Sequence, residues 1–304
     1  MIQAAKEIFK NEKGNVSKIQ FEQDLALKSL WFSGWFIVAV LIFIIGYICY
    51  HGLPTALSFH YLFSPPEGGR HDTGGILYQV IATLYLIFGA IIVAAPIGVF
   101  AAIYLTEYAP QNFITKTTRF AIENLAGIPS IIYGLFGLAF FVIFLKFKFS
   151  LLAGALTVAI MVLPVIIRTS EEALKSVPLN FRESSLALGV NKWQTIYNVV
   201  LPSAFPGILT GILLSIGRII GESAILILAS GGSITAMPTF LSSEYPYFIS
   251  DSARTLAVHL YYQATSYDTR SKAFATGVVL IFIVLFLNYC INKISKLYRK
   301  KLLT

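Results

Sequence analysis

The sequence predicts an all-α polytopic membrane protein with six transmembrane helices. Three observations carry that prediction: an apolar composition, six runs of membrane-spanning length, and an uneven placement of Lys and Arg. Of the 304 residues, 56% are hydrophobic and only 12% are charged, and the mean hydropathy is +0.73. An ordinary soluble domain carries roughly 25% charged residues, and one this apolar would expose large hydrophobic patches to water. Cytosolic enzymes, nucleic-acid binders and disordered scaffolds are thereby excluded as classes. Two cysteines, Cys49 and Cys290, cannot build a disulfide framework.

A helix needs about 20 predominantly apolar residues to cross roughly 30 Å of hydrocarbon. The runs Leu30–Tyr50, Val80–Leu105, Leu125–Leu145, Leu151–Ile167, Ala204–Ala229 and Ala273–Ile291 meet that need. The first follows a long polar leader, 1–29, and precedes no small-residue cleavage site, so it reads as an uncleaved helix. The third and fourth are separated by Lys146, Phe147 and Lys148 alone, which predicts a tight helical hairpin.

Orientation follows from the excess of Lys and Arg that marks cytoplasmic segments. With both termini inside, 16 of the 23 basic residues fall on inner segments, 6 fall on outer ones, and Arg218 remains within the fifth span. The net charge of +8 thus records topology and calls for no nucleic-acid surface. Cys49 then lies near the outer surface and Cys290 near the inner one, too far apart to pair.

The loop from Thr169 to Pro202 carries the most local information. Glu171 to Val177 favours helix, and Pro178 ends it because the residue before proline is pushed out of the α region. Asn180 with Glu183 three positions on reads as a capping box, and the short helix so begun stops at Gly189. Asn191 with Gln194 repeats the capping pattern, and a second short helix runs to Pro202. Trp193, Ile196, Tyr197 and Val200 recur at helical spacing and form an apolar stripe. No Gly-x4-Gly-Lys-Ser/Thr phosphate cradle occurs anywhere, so the chain itself does not hydrolyse ATP in the P-loop manner.

Glu183, Ser184 and Ser185, then Gly189 after three residues, then Val199, Leu201 and Pro202 after nine more, resemble the EAA loop of ABC importer permeases. Ser stands in place of both alanines and Val in place of isoleucine. The resemblance implies the type I ABC importer permease fold, with a cytoplasmic coupling helix that docks into a separate ATPase subunit. It divides the chain into a cytoplasmic leader over 1–29, an accessory first helix and outer loop over 30–75, a permease core over 76–295 with its coupling loop at 169–202, and a basic cytoplasmic tail over 296–304.

Within the fifth span, Arg218 and Glu222 form an i,i+4 pair at membrane depth. Such charges face protein or water and carry function by default. At about 100° per residue, Gly207 and Gly211, and then Gly217 and Gly221, fall near the same face, which predicts close helix packing beside both charges. Arg218 offers its planar fork of donors to an oxyanion. In that reading Glu222 holds it at rest and accepts a proton-bearing oxygen of hydrogen phosphate; in the alternative the two charges only neutralise each other as a structural pair. Arg168 at the inner end of the fourth span reads either as a product of the inner-side excess of basic residues or as a second cationic station.

Leu125 to Ser130 (Leu-Ala-Gly-Ile-Pro-Ser), Tyr133 to Gly137 (Tyr-Gly-Leu-Phe-Gly), Arg168 to Leu174 and Gly217 to Glu222 resemble permeases for inorganic phosphate, as does Ala102 to Ala109. The long outer loop with Leu256 to Tyr262, the final span and the basic end are similar to the A-type subunit of that family rather than the C-type. One departure stands out. After Gly-Glu the A-type pattern reads Thr-Ala-Pro, whereas Ser223, Ala224 and Ile225 follow here, and the missing proline removes an expected kink. The resemblance implies a bacterial inner-membrane location, a second permease chain of C-type, two ATPase subunits, an extracytoplasmic phosphate-binding protein and inorganic phosphate as substrate. Another oxyanion such as molybdate or sulfate, carried by the same machinery, and a non-transporting membrane scaffold are the alternatives.

The four histidines, His51, His60, His71 and His259, fall in predicted outer loops or at span ends, with no zinc-binding spacing. Each reads as a solvated loop residue, and no metal or cofactor is expected on this chain. An intramembrane serine protease needs a histidine base beside its nucleophile, which the spans lack. The run Gly68 to Gly75 lacks the preceding strand of a phosphate loop and reads as a flexible outer loop.

Overall fold

In a computed structural model, residues 2–66, 74–233, 250–266 and 269–303 are described, with side chains from 20 and 22 onward to 298. Most of the glycine-rich run, including Arg70 and His71, lies outside the described residues. All regular elements among them are helical. The chain divides into two units, Met1–His51 and Gly52–Thr304.

Helix α1 covers Ile2–Ala56, so the backbone of the predicted leader is already helical. From Glu22 it is apolar enough to span a membrane. Trp31, Phe32, Trp35, Phe36 and Ile37 stand exposed along the first unit. Apolar side chains around a whole helix are stable only where the surroundings are equally apolar, as in a bilayer.

The second unit begins with a short α2 (Phe59–Phe63) and then α3 (Leu77–Ile103), which ends in a π turn at Tyr104–Tyr108. Next come α4 (Phe113–Ala126) and α5 (Ser130–Gly137), the latter continued by a π-helical stretch, Leu138–Phe144. Helix α6 is Leu151–Lys175, α7 is Leu179–Ala187 and α8 is Lys192–Thr195. A π turn at Ile196–Val200 joins α8 to α9 (Leu201–Gly221), which is followed by α10 (Ala224–Ala229), α11 (Leu256–Thr265) and α12 (Arg270–Leu303).

Among the described residues, five helices are long and apolar enough to cross a membrane: Glu22–Ala56, Leu77–Tyr108, Leu151–Lys175, Lys192–Gly221 and Arg270–Tyr298. The third predicted span, Leu125–Leu145, falls on a bent pair of helices. Phe113–Ala126, most of which precedes the predicted span, and Ser130–Phe144 meet at 98° across Gly127, Ile128 and Pro129, where proline disfavours helical backbone at the residue before it. The turn after it is tight as expected, with Lys146 and Lys148 both at positive φ.

The core of the unit is the packing of α6 between α3 and α9. Met161, Val162 and Ile166 of α6 share one buried cluster with Leu86 and Ala90 of α3 and Ile216 and Ile219 of α9, all fully or nearly fully buried. Toward the loop end the same three helices enclose Leu174, Ile196 and Val200. Two glycines of the Tyr133–Gly137 stretch serve this packing. A Cβ on Gly134 would sit 3.1 Å from the Ile225 Cα of α10, and one on Gly137 would collide with the Thr157 side chain of α6.

His259 is a correction. Placed in α11 and only 1% exposed, it is a core residue rather than a solvated one. Its Nε2 accepts from Gln263 Nε2 at 2.8 Å. Gln263 Oε1 in turn accepts from Thr276 Oγ1 at 2.6 Å, whose oxygen also bonds the Tyr61 hydroxyl at 2.8 Å. That amide orientation suits a neutral ring. Burial, then the nearby Arg254 and Lys272, push the imidazole down to about 3.

Candidate functional site

The loop between α6 and α9 folds as a rigid elbow. Helix α6 closes at Lys175, Val177 is buried, and Pro178 opens α7 with extended backbone. Asn180 therefore lies inside the first turn, and α7 has no side-chain cap, so the predicted capping box at Asn180 does not form. Proline takes the N-terminal position two residues earlier because its fixed φ suits a helix start. The second box does form: Asn191 Oδ1 accepts from Gln194 N at 2.8 Å, and Gln194 Oε1 accepts from Asn191 N at 3.3 Å. Between the two helices Gly189 adopts φ +80, and its N–H donates to Leu186 O at 3.0 Å. A left-handed residue there turns the chain back, a conformation that glycine adopts without steric cost.

Beyond the elbow the helix does not stop at Pro202. It runs unbroken from Lys192 to Gly221, and the π turn at Ile196–Val200 precedes Leu201 and Pro202. Proline has no N–H to give to the preceding turn, and a π turn absorbs such a mismatch. Leu201 and Pro202 are half-buried.

The apolar stripe of this segment splits by face. Ile196 and Val200 are buried, while Trp193 and Tyr197 are exposed. With Phe181, Leu186 and Leu188, the last 83% exposed, they form an uncovered apolar surface beside exposed Glu183, Ser184 and Gly189. Ser185 points inward, its hydroxyl 3.0 Å from Thr195 Oγ1, and so ties α7 to α8. An alanine at 185 could not supply that bond.

Arg182 is an anchor of the elbow that sequence spacing does not disclose. Its Nη2 lies 2.8 Å and its Nε 3.1 Å from Glu107 Oε1, at the end of α3. Nη1 and Nη2 also donate to Val177 O at 2.7 Å and Leu174 O at 2.8 Å. The side chains are 14% and 9% exposed. Lys192 Nζ donates to Glu107 O and lies over the Tyr108 ring. One carboxylate from a distant part of the chain thus pins the elbow to the span beside it.

Arg168 lies at the same end of the bundle, 58% exposed and 3.4 Å from Glu172. Arg218 is half-buried on α9 and forms no ion pair among the described residues. The expected pairing with Glu222 is overturned because the helix ends at Gly221. Glu222 takes extended backbone, ψ 122, and its Oε1 accepts from Ile225 N at 3.3 Å at the start of α10. The carboxylate supplies a cap where the family pattern has proline, so the helix breaks without one.

The four glycines of α9 likewise divide. A Cβ on Gly207 would meet Ala173 Cβ at 2.6 Å and one on Gly211 would collide with Thr169, whereas Gly217 and Gly221 face open space. The second pair is therefore an exposed stripe of this chain rather than part of its internal seam. Arg218 lies seven residues past Gly211, about 10 Å farther along the helix, so Arg168 and Arg218 sit at different depths.

Residues 94–303 match the family described as binding-protein-dependent transport system inner membrane component. Among curated relatives, a probable ABC transporter permease protein, YqgI, of Bacillus subtilis strain 168 is 35% identical over 274 residues, covering 88% of this chain and 92% of the relative. The phosphate transport system permease protein PstA of Pasteurella multocida strain Pm70 is 36% identical over 240 residues, or 78% of this chain and 81% of that one. PstA 1 of Mycobacterium tuberculosis strain CDC 1551 / Oshkosh is 42% identical over 182 residues, 56% of this chain and 60% of that protein's length. The fold is shared with a chain of a bacterial alginate ABC transporter solved with its periplasmic protein, at a TM-score of 0.61 and 17% identity over 90% of this chain and 98% of that one. It is shared also with a chain of the inward-facing MetNI methionine ABC transporter, at 0.55 and 20% identity over 74% and 94%.

Proposed function

The chain belongs to the family of binding-protein-dependent transport system inner membrane components, and we propose that it is the A-type permease subunit of an importer of inorganic phosphate. It is a multi-pass, non-catalytic permease subunit of an ABC importer with the type I importer fold. The partners we assign to it are a second permease of C-type, a pair of ATPase subunits and a phosphate-binding protein outside the cell, with both termini of this chain in the cytoplasm.

In this reading the uncovered surface of Phe181, Leu186, Leu188, Trp193 and Tyr197 receives the ATPase, with Glu183, Ser184 and Gly189 at its edge. Movement of the motor pushes on α7. The Arg182–Glu107 pin and the continuous Lys192–Gly221 helix pass that push to α3 and α9 together. Rigid parts are needed for this, because a floppy loop dissipates a displacement that a helix pair transmits.

The observation that carries the substrate assignment is Arg218: a half-buried guanidinium in a membrane-spanning helix, with no carboxylate among the described residues to neutralise it. A charge at membrane depth costs several kcal/mol unless a counter-ion or water meets it, and an oxyanion in transit is such a counter-ion. The adjoining Gly217 and Gly221 leave its flank open. Glu222, capping α10 beside it, accepts the proton-bearing oxygen of hydrogen phosphate, and Arg168 takes the anion at the inner exit.

The test is ATP hydrolysis by the complex reconstituted in liposomes. Phosphate with its binding protein is expected to stimulate it, and Arg218→Gln is expected to abolish uptake while the subunits still co-purify. Stimulation by sulfate or molybdate alone reassigns the substrate, and stimulation by no anion supports a scaffold. Normal phosphate uptake by Arg218→Gln removes the arginine from the path.

A further inference from the structure

One cavity is bordered by the Arg182–Glu107 pin but lies apart from the Arg218 region. It measures about 410 Å³ and opens at the elbow end of the bundle, between the end of α3, the start of α4, the end of α6 and α7. Four cations line it: Lys116, Arg119, Lys175 and Arg182. Two carboxylates answer them. Glu107 is held by Arg182 at 2.8 Å, and Glu171 is shared by Arg119 at 3.0 Å and Lys175 at 3.6 Å. The cluster is left two positive charges in excess, and Lys116 forms no ion pair among the described residues.

The cluster also holds buried polar atoms without a hydrogen-bond partner, Glu171 Oε1 on the acceptor side and two groups that can donate. Arg119 Nη2 donates to Leu105 O at 2.7 Å, yet its Nε is buried with no acceptor, and the Thr106 hydroxyl beside it is buried without a partner. Buried donors left unmatched are costly. A wall with surplus positive charge, an unpaired lysine and an unmatched guanidinium donor is the complement of an oxyanion, above all of a phosphate, whose oxygens accept from guanidinium and ammonium groups at once.

The setting narrows the source of that phosphate. Helix α4 meets the segment after it at 98°, so if that segment crosses the bilayer, α4 lies along its surface. Phe113, Ile114 and Phe120 are exposed on α4, immediately beside the cavity residues Thr115, Lys116 and Arg119. Apolar side chains next to a basic pocket at the end of a span are the arrangement that seats acyl chains and headgroup together.

We propose that this cavity binds a phosphate group at the membrane surface, supplied by the headgroup of an anionic phospholipid. Free inorganic phosphate has the same oxyanion chemistry and is the competing source. The proposal does not depend on which anion the permease transports, since the cavity shares no residue with the Arg218 region.

The full chain in detergent, probed by native mass spectrometry with dioleoylphosphatidylglycerol or dioleoylphosphatidylcholine, tests this. The anionic lipid is expected to bind preferentially, and Lys116→Gln with Lys175→Gln is expected to weaken it roughly thirtyfold. Both lysines are solvent-accessible, so the fold is retained. Lys146→Gln with Lys148→Gln, an equal loss of charge at the opposite end, is expected to change nothing. Retention of inorganic phosphate instead, lost in the same Lys116/Lys175 variant, also upholds the site and identifies the free anion as its occupant. Equal retention of the two lipids without phosphate binding, or a preference unchanged in that variant, overturns the proposal.

Discussion

The pin between Arg182 and Glu107 makes the sharpest prediction, because its geometry bounds its energy. Two donors of one guanidinium reach a single carboxylate oxygen at 2.8 and 3.1 Å, with side-chain exposures of 14% and 9%. An exposed pair contributes about 0–1 kcal/mol, and breaking a fully buried one costs about 3–5 kcal/mol. This pair is nearly but not wholly enclosed, and Arg182 keeps two carbonyl partners when the carboxylate is gone. Glu107→Gln, which preserves shape and removes charge, is therefore expected to fall between those limits, at a cost of about 2 kcal/mol. Arg182→Gln is expected to cost somewhat more, since it also frees Val177 O and Leu174 O.

The double variant decides whether the two act as one device. If they do, its loss is smaller than the sum of the single losses by about 2 kcal/mol, within the range of coupling between contacting residues. Denaturation of the purified chain in detergent measures it. The functional readout is separate. Neither residue belongs to the exposed apolar surface, so the ATPase is expected to co-purify with both single variants. Phosphate-stimulated hydrolysis, in contrast, is expected to fall several-fold as the push on α7 no longer reaches α3. Losses that add within about 0.5 kcal/mol, the behaviour of independent sites, together with full stimulation, would refute the pin.

Gly189→Val forces a β-branched residue into φ +80, at roughly 1–3 kcal/mol, and is expected to reduce ATPase co-purification. Gly189→Asn, which tolerates the left-handed region, is expected to keep most of it. His259, lowered to about 3 in the folded chain against about 6.5 unfolded, contributes stability that is complete above pH 6.5 and is lost as pH falls toward 3. At pH 5 the loss is about 2 kcal/mol, so melting temperature should decline over that window in the native chain and stay flatter in His259→Asn. Gly211→Ala is expected to destabilise the chain by about 1–3 kcal/mol through overpacking against Thr169, whereas Gly217→Ala is expected to be neutral or stabilising in the isolated chain. Equal melting temperatures for these two variants would contradict the division of the α9 glycines.

The features legible in the sequence are those that depend on near neighbours or on bulk composition. Length and hydropathy locate the spans, because a bilayer judges a helix by its own side chains. The Asn191–Gln194 box and the left-handed Gly189 are readable because their partners lie close by in sequence. Asn180 fails by the same local logic, since Pro178 competes for the helix start and a motif count does not rank competitors. The bend at Gly127 to Pro129 is hidden from hydropathy, which sees an apolar run and not its direction. Inferring solvation from a place in a loop misassigns His259, which Gln263, Thr276 and Tyr61 tie into the core from three separate elements.

The region around Arg218 joins these two kinds of information. Periodicity places Arg218 and Glu222 on one face only by assuming that the helix continues, and the helix ends between them. The absent proline argues for continuation, yet proline is only one way to end a helix. A carboxylate that accepts the N–H of Ile225 ends it as well, by capping the next helix. The break changes what the arginine is for. Had Glu222 stayed in register, the two charges would have cancelled, and a structural ion pair would have sufficed to explain both. With the carboxylate occupied at α10, the guanidinium is left without an ion-pair partner among the described residues, flanked by two glycines that face open space. Among the described residues no carboxylate forms an ion pair with it, and an anion, water or an apposed subunit can supply the neutralisation. In the function proposed above, an anion in transit uses both the uncancelled charge and the open flank.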